Sequence, residues 1–108
     1  MKKVKQYQIV IVNLDPTMGS EIKKTRPCVV ISPDEMNKHL NTVIIAPVTS
    51  KSKSYPTRVE IKVRGNQNWV VIDQIRTIDK RRVVKTGGNL KQDEINRVKE
   101  VIKETLVA

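Results

Sequence analysis

Short runs of β-branched residues, each ended by turn-forming residues, constrain the fold of this chain more than any other feature. Residues 8–14 read QIVIVNL and are followed by the turn-forming stretch DPTMG, and similar apolar runs cover residues 27–31, 42–48 and 69–72. Val and Ile fit the pleated surface of a sheet, whereas Pro, Gly and Asp favour turns. The pattern predicts five or so short strands joined by irregular loops.

Residues 58–63 carry the clearest strand signal, because apolar and charged residues alternate strictly there. Val59, Ile61 and Val63 fall on one face, and charged side chains fall on the other. This period of two is typical of a half-buried strand. Gly65-Asn66 predicts a turn after it, and Gly87-Gly88 predicts another turn before the C-terminal segment.

Two helices are predicted, and neither alternates with strands. The sequence SPDE at residues 32–35 resembles a capping box, which predicts a short helix seated on the core by Met36 and Leu40. A longer amphipathic helix is predicted from the apolar spacing of Ile95, Val98, Ile102 and Leu106. Asp93 and Glu94 would lie in its first turn, where the helix dipole favours acids. The expected fold is therefore mostly β, with helices packed on a barrel or sheet, rather than a parallel βαβ architecture.

Size and charge bound the function. The chain has 108 residues, which suits one domain spanning residues 1–108, and its formal net charge is +10, which attracts polyanions such as nucleic acid or an acidic protein. Cys28 is the single cysteine, so no intramolecular disulfide can form. No stretch is apolar enough for a signal peptide or a membrane span. We expect a soluble cytoplasmic protein without a membrane partner.

The inventory of reactive side chains favours electrostatic handling of phosphate. One cysteine and one histidine, His39, predict no metal site and no two-histidine acid–base pair, and His39 is expected on the surface. Arg26 precedes Pro27 at the start of a strand, and Thr49 and Ser50 follow another strand. A guanidinium fork and hydroxyl groups together can hold a phosphate.

Plainer interpretations of these residues stay open at this point. Arg26 suits a solvated loop, Thr49 and Ser50 suit a turn that bonds its own backbone, and Glu21 suits an exposed pair with Lys23 or Lys24. Residues 80–82 (KRR) are expected to form a solvated basic face.

Four ordered blocks of sequence, taken together, resemble a known family. They are residues 15–21 (DPTMGSE), Arg26-Pro27 with the following apolar strand, residues 47–50 (PVTS) and residues 73–79 (DQIRTID). The set is similar to the MazF/PemK (Kid) family of toxin endoribonucleases from type II toxin–antitoxin systems. The resemblance extends from about residue 8 to the C-terminal helix.

This resemblance implies a small SH3-like β-barrel of the CcdB/MazF/PemK type and a homodimer. It implies cleavage of single-stranded RNA without a metal or other cofactor, leaving a 2′,3′-cyclic phosphate and a 5′-hydroxyl. It also implies a MazE-like antitoxin, usually encoded alongside, that covers the RNA groove.

By position, Arg26 and Thr49 match the family's catalytic pair. The residues expected to bind RNA are Gly19, Ser20, Glu21, Lys24, Ser50, Asp73 and Gln74. The PemK/Kid branch carries a histidine where this chain has Ser20 and an arginine where it has Val71, so a MazF-type arrangement is favoured. Asp73 matches that branch, and the resemblance leaves both a catalytic and a structural role open for it.

Two other functions fit the same fold. One is a CcdB-like inhibitor of DNA gyrase, although residues 104–108 (ETLVA) lack the Trp-Gly-Ile ending on which CcdB depends. The other is an RNA-binding module that does not cleave, which the low aromatic content disfavours because stacking on aromatic side chains contributes much of such binding.

Overall fold

The computed structural model describes residues 3–107. In it, the β-branched runs form antiparallel strands, which are followed by one long helix. The strands are β1 (Gln8–Asn13), β2 (Thr25–Val30), β3 (Thr42–Thr49), β4 (Arg58–Val63), β5 (Asn66–Val71), β6 (Arg76–Asp79) and β7 (Val83–Asn89). The helices are α1 (Asp34–His39) and α2 (Gln92–Leu106), and single 3-10 turns lie at Ile72–Gln74 and Lys80–Arg82. The predicted mostly β class with a C-terminal helix is confirmed.

The sheet runs in the order β4-β5-β3-β2-β1-β7, with β6 paired to β3 off this path, and every pairing is antiparallel. Strand β3 is the pivot. Its first half pairs with β6 through Thr42 to Ile45, and its last two residues, Val48 and Thr49, pair with β5. Because β3 exchanges one neighbour for another along its length, the sheet curves into a half-barrel.

Two buried apolar clusters stabilise this sheet. One contains Val10, Val12 and Leu14 of the β1 region together with residues of β2, β3 and β6. The other lies under α2, where Val98 is fully buried against β4 and β5. The predicted amphipathic face is confirmed over most of its length, but Leu106 is 59% exposed and lies outside it.

The prediction of a turn at Gly87-Gly88 is wrong, because both glycines lie in β7, which pairs with β1. A Cβ atom built on Gly87 would stand only 3.2 Å from the carbonyl oxygen of Ile9. Glycine therefore allows the two backbones to approach closely. The sequence suggested a turn because two adjacent glycines usually punctuate structure.

The short helix after β2 forms, but its predicted capping box does not. Its N-cap is Pro33, with no side-chain cap, and the Ser32 hydroxyl instead donates to Asn37 Oδ1 (2.5 Å) and accepts from the Ile44 N–H (3.1 Å). Asn37, rather than Leu40, is the buried residue that seats α1, since Leu40 is 47% exposed. A polar link to β3 thus replaces the expected apolar one.

Within residues 3–107, neither α-helix has the length and apolar character that crossing a lipid bilayer requires.

Candidate functional site

Three chain segments meet at one end of the half-barrel. They are the first loop (residues 14–24, between β1 and β2), the second loop (residues 50–57, between β3 and β4) and the turn Ile72–Gln74 after β5. The strand register places them together, because Asn13 pairs with Thr25, Thr49 with Trp69, and Arg58 with Val71. Most of the residues predicted to bind or cleave RNA therefore lie at this one end.

The register sets Arg26 against Thr49. Cys28 pairs with Pro47 in the β2–β3 ladder, and the same antiparallel register continued by two residues places Arg26 opposite Thr49. Side chains at opposed positions share one face of a sheet, with Cβ atoms about 4.5–5.5 Å apart. Extended in this way beyond its last pair, the register places the two strand ends singled out in the sequence on one face of the sheet.

The Arg26 side chain is held at one nitrogen. Its Nε–H donates to the Lys23 carbonyl (3.0 Å), and among residues 3–107 its two terminal nitrogens have no hydrogen-bond partner. Those N–H groups remain available to oxygen atoms of a phosphate. The residue is half-buried, so part of its surface is open to solvent.

Thr49 is buried but keeps a positioned hydroxyl. The residue is 8% exposed, and its Oγ1 accepts from the Lys51 N–H (3.1 Å). The hydroxyl also donates to the Lys51 carbonyl at 3.5 Å, a long and therefore weak bond that it can exchange for one to a phosphate oxygen. The turn that the plainer interpretation expected at Thr49 is therefore present, and it orients the hydroxyl.

Gln74 fastens the first loop to the core of the site. Its side-chain oxygen accepts from the Ile22 N–H (2.7 Å), and its side-chain nitrogen donates to the Ser20 carbonyl (3.3 Å). On the loop, both bonds use backbone groups, so they do not depend on the side chains of Ile22 and Ser20. The predicted RNA contact is thus occupied in holding the loop.

Asp73 fastens the second loop. Its carboxylate accepts from the Thr57 hydroxyl (2.9 Å) and from Arg58 Nε (3.3 Å). Partial burial by itself raises the pKa of this carboxyl, but the hydrogen bonds from Arg58 and Thr57 outweigh burial and hold the pKa below its ordinary range. Asp73 is therefore ionised at neutral pH and holds structure.

Arg58 is a site residue that the sequence did not indicate. Besides its bond to Asp73, its Nη1 donates to the Ser52 hydroxyl (2.8 Å), and its guanidinium lies 4.9 Å from the centre of the Tyr55 ring. Arg58 thus joins two points of the second loop to the turn after β5. In the sequence, Arg58 was simply one of the charged residues on the outer face of β4.

Two further arginines support the start of the first loop, and they too were missed. Arg76 Nη1 donates to the Leu14 carbonyl (3.0 Å), and Arg82 Nη1 donates to the carbonyls of Asn13 (3.2 Å) and Asp15 (2.5 Å). Their partners are backbone atoms more than sixty residues away in sequence. A pattern of residue types carries no signal for such contacts.

The remaining predicted residues of the first loop are exposed. Gly19 and Lys24 have positive φ angles (54° and 72°), and the Lys24 N–H donates to the Asp15 carboxylate (3.2 Å). Glu21 is not paired with Lys23 or Lys24; its carboxylate accepts from the Met18 N–H (2.6 Å) and closes the loop tip. Ser20 is exposed on the same loop, and Ser50 is exposed on the second loop.

The basic stretch at residues 80–82 is not a uniformly solvated face. Lys80 is only 9% exposed and Arg82 is half-buried, so that expectation is wrong for two of the three residues. Arg81 is exposed and pairs with Asp79 (3.0 Å). His39 lies on the surface as expected, 3.3 Å from Glu35.

The site as a whole is basic and rich in hydrogen-bond donors. Lys23, Lys24, Arg26 and Lys51 surround it, while the nearby carboxylates of Glu21 and Asp73 are engaged in bonds within the loops. In residues 3–107 we find no group of three or more His, Cys, Asp or Glu side chains placed to hold a metal ion. The arrangement can stabilise negative charge that develops on a phosphate.

Comparison with known proteins agrees with this geometry. Residues 5–106 match the family described as "PemK-like, MazF-like toxin of type II toxin-antitoxin system". Endoribonuclease EndoA from Bacillus subtilis (strain 168) is 31% identical over 109 aligned positions, covering 95% of this chain and 94% of EndoA.

Solved structures show the same fold. MazF (Form-I) from Deinococcus radiodurans superposes with a TM-score of 0.87 at 25% identity over all of both chains. In the MazE-MazF (Form-II) structure from the same organism, the match has a TM-score of 0.80 at 23% identity over 99% of this chain and 98% of that one. The predicted family and MazF-like fold are confirmed, and the chain belongs to the PemK-like, MazF-like toxins of type II toxin–antitoxin systems.

Proposed function

We propose that this toxin is a sequence-specific endoribonuclease that cuts single-stranded RNA with Arg26 and Thr49 as its catalytic pair. In the proposed reaction a ribose 2′-oxygen forms a bond to the adjacent phosphorus, and the bond from phosphorus to the 5′-oxygen breaks. The 2′-hydroxyl loses its proton and the leaving 5′-oxygen gains one. The products are a 2′,3′-cyclic phosphate and a 5′-hydroxyl, and no metal ion takes part.

The opposed placement of Arg26 and Thr49 carries the proposal. An arginine fork with free terminal nitrogens and an oriented hydroxyl face the same side of the sheet. Together they can donate to the nonbridging oxygens of one phosphate, where negative charge increases in the transition state. Family membership and the relationship to EndoA support ribonuclease chemistry for this pair.

The two loops would bind the RNA on either side of the phosphate. The first loop offers Gly19, Ser20, Glu21 and Lys24, and the second offers Ser50, all at exposed positions. Asp73 and Gln74 would act through the loops that they fasten. Arg26 would contact a phosphate, which every nucleotide carries, so it cannot distinguish bases. Base selection would depend on the shape of the loops, whose side chains reach the bases.

We also propose a homodimer and an acidic antitoxin as partners. The net charge of +10 favours an acidic antitoxin segment as well as RNA, and exposed apolar side chains such as Met18 (81%) and Val84 (54%) suit protein contacts. MazF from Deinococcus radiodurans has been solved with MazE. With RNA as its substrate, the toxin would act in the cytoplasm.

The direct test is to digest a long RNA with purified protein in EDTA and to map the 5′-hydroxyl ends. Cleavage in EDTA at one short recurring sequence supports the proposal. Arg97→Ala, which removes an equal charge from the exposed face of α2, should cleave like the wild type, whereas Arg26→Ala should fold and not cleave. A wild type that binds the RNA without cutting it would make this chain a binding module instead.

A further inference from the structure

A second basic site lies at the opposite end of the sheet from the candidate active site. A cavity of about 670 Å³ is lined by Lys3, Val4, Lys5, Asp34, Asn37, Lys38 and Lys80. It is formed by the N-terminal segment, α1 and the turn after β6. Four of the seven lining residues are lysines and one is an aspartate, so positive residues predominate among the charged residues of the wall.

The surrounding hydrogen bonds define its position. The Tyr7 N–H donates to the Val30 carbonyl (2.7 Å) at the far end of β2, and the Lys80 N–H donates to the Asn41 carbonyl (2.9 Å) at the start of β3. Arg26 lies at the other end of β2, four residues and about 13 Å away along the strand. The cavity is therefore separate from the phosphate position proposed above.

Lys80 indicates that the cavity is suited to an anion. The residue is 9% exposed, its Nζ donates to the Asn37 carbonyl, and no ion pair among residues 3–107 includes it. A neutral carbonyl satisfies one donor of an ammonium group but does not balance its charge. Burying a charge without a counter-charge is costly, and a bound anion would remove that cost.

The aspartate in the wall does not balance the lysines. Asp34 Oδ1 accepts from the Gln6 N–H (2.8 Å), so part of its hydrogen-bonding capacity fixes the N-terminal segment over the cavity. The same wall contains four lysines, so its formal charges do not balance. A ligand with several negative charges fits this imbalance better than a ligand with one.

We propose that this cavity binds an oligophosphate, either free or as the phosphate tail of a nucleotide. Its volume lies within the range of small-molecule sites, which is about 300–1,000 Å³. None of the seven lining residues is aromatic, so the cavity lacks the stacking surface on which single-stranded RNA bases usually bind. The phosphate chain, rather than a base, is the recognised part.

The test is calorimetric titration of the full chain with sodium tripolyphosphate and, separately, with ATP, at roughly 0.15 M salt to screen diffuse attraction. We expect saturable binding of one molecule per chain and similar affinity for the two ligands. Tighter binding of tripolyphosphate would identify the free ion as the ligand and would keep the site. Much tighter binding of ATP would mean that the nucleoside is recognised and would overturn recognition through the phosphate chain, and a lack of saturable binding of either ligand would overturn the site.

Two exposed lining lysines provide variants that leave the buried Lys80 in place. Lys38→Gln and Lys5→Gln should each raise the dissociation constant about tenfold, as expected for the loss of one charge-assisted hydrogen bond. Lys99→Gln removes the same charge from the exposed face of α2 and should leave the dissociation constant unchanged. Equal weakening by all three variants would mean diffuse attraction to a basic protein and would overturn the proposal.

Amide-resolved NMR locates the ligand independently of cleavage. Tripolyphosphate should shift the amide signals of Val4, Asn37 and Lys80 and leave those of Arg26 and Thr49 in place. Shifts confined to Arg26 and Thr49 would assign the ligand to the candidate active site and overturn the second site. If an unstructured RNA oligonucleotide shifted the cavity amides more strongly than tripolyphosphate, the cavity would be an RNA-binding surface, and the proposal of a small oligophosphate ligand would be overturned.

Discussion

The side-chain oxygen of Gln74 accepts a hydrogen bond from the backbone N–H of Ile22 at 2.7 Å, across 52 residues of sequence. With the bond from its nitrogen to the Ser20 carbonyl, Gln74 determines where the first loop lies relative to the sheet. The loop bearing most of the proposed RNA contacts is thus positioned by a residue in the turn after β5. Its shape therefore depends on Gln74 as well as on bonds within the loop, such as the one from the Met18 N–H to Glu21.

Gln74→Ala is therefore expected to loosen the first loop without unfolding the protein. Hydrogen exchange at the Ile22 amide should become faster, while exchange at Val10 in the buried part of β1 should not change. Cleavage should become slower and less selective among RNA sequences, because the loop no longer has one fixed shape. An unchanged Ile22 exchange rate would contradict this role for Gln74.

The lowered pKa of Asp73 predicts how the stability of the protein depends on pH. Its pKa is lowered in the folded protein, so its contribution is fully present above the unfolded pKa and is lost as the pH falls through the lower, folded pKa. Asp73→Asn should lower the urea midpoint at neutral pH, and the difference from wild type should shrink at acid pH, as the pH falls through the folded pKa.

The exposed Asp93→Asn variant is the control for this measurement. Asp93 lies 3.8 Å from Arg97 on the surface of α2, and such exposed pairs contribute little to stability. It should shift the urea midpoint only slightly at either pH. If Asp73→Asn showed the same deficit at both pH values, the loss would come from packing and not from the ionised carboxylate.

Cys28 is expected to be unreactive in the folded protein. Burial raises the pKa of its thiol to about 12, although nearby Arg76 lowers it in part, so the reactive thiolate is scarce at neutral pH. A thiol reagent should label the protein in urea but not under native conditions. Ser54→Cys adds an exposed thiol and should be labelled natively; rapid native labelling of Cys28 in the wild type would contradict its burial.

Glu94 joins α2 to the sheet. The residue is buried, and its carboxylate accepts from the N–H groups of Lys62 (2.9 Å) and Lys91 (2.9 Å). Glu94→Ala leaves both donors without a partner and should lower the free energy of unfolding by about 2–3 kcal/mol. Glu94→Gln keeps one acceptor and should lose less. Equal denaturation midpoints for the two variants would contradict this ranking.

The sequence predicted the parts of the fold that depend on local pattern. The alternation around Ile61 predicted a strand, because the two faces of a half-buried strand produce a sequence period of two. The β-branched run around Val10 predicted a strand, because strands buried on both faces are apolar throughout. The strand containing Gly87 was not predicted. Gly87 allows the backbone of β7 to lie close to that of β1, and this contact exists only in the folded protein.

The candidate site was predictable to the extent that family resemblance identified its residues. Arg26 and Thr49 were identified because they occupy the positions of the family's catalytic pair. The register of β2 and β3, continued to the strand ends, then places them opposite each other. The holding roles of Gln74 and Arg58 were not predictable, because their partners are backbone atoms or loop residues brought close only by folding. Buried Lys80 was likewise hidden in a basic run typical of surfaces.

A double-mutant cycle of RNA cleavage rates would show whether Arg26 and Thr49 act on the same phosphate. Arg26→Ala and Thr49→Val should each slow single-turnover cleavage by roughly 10²–10³-fold, and the double variant should be little slower than the slower single variant. Thr49→Ser, which keeps the hydroxyl, should retain activity. Losses that multiply in the double variant, or an Arg26→Ala protein that cleaves at the wild-type rate, would contradict the account.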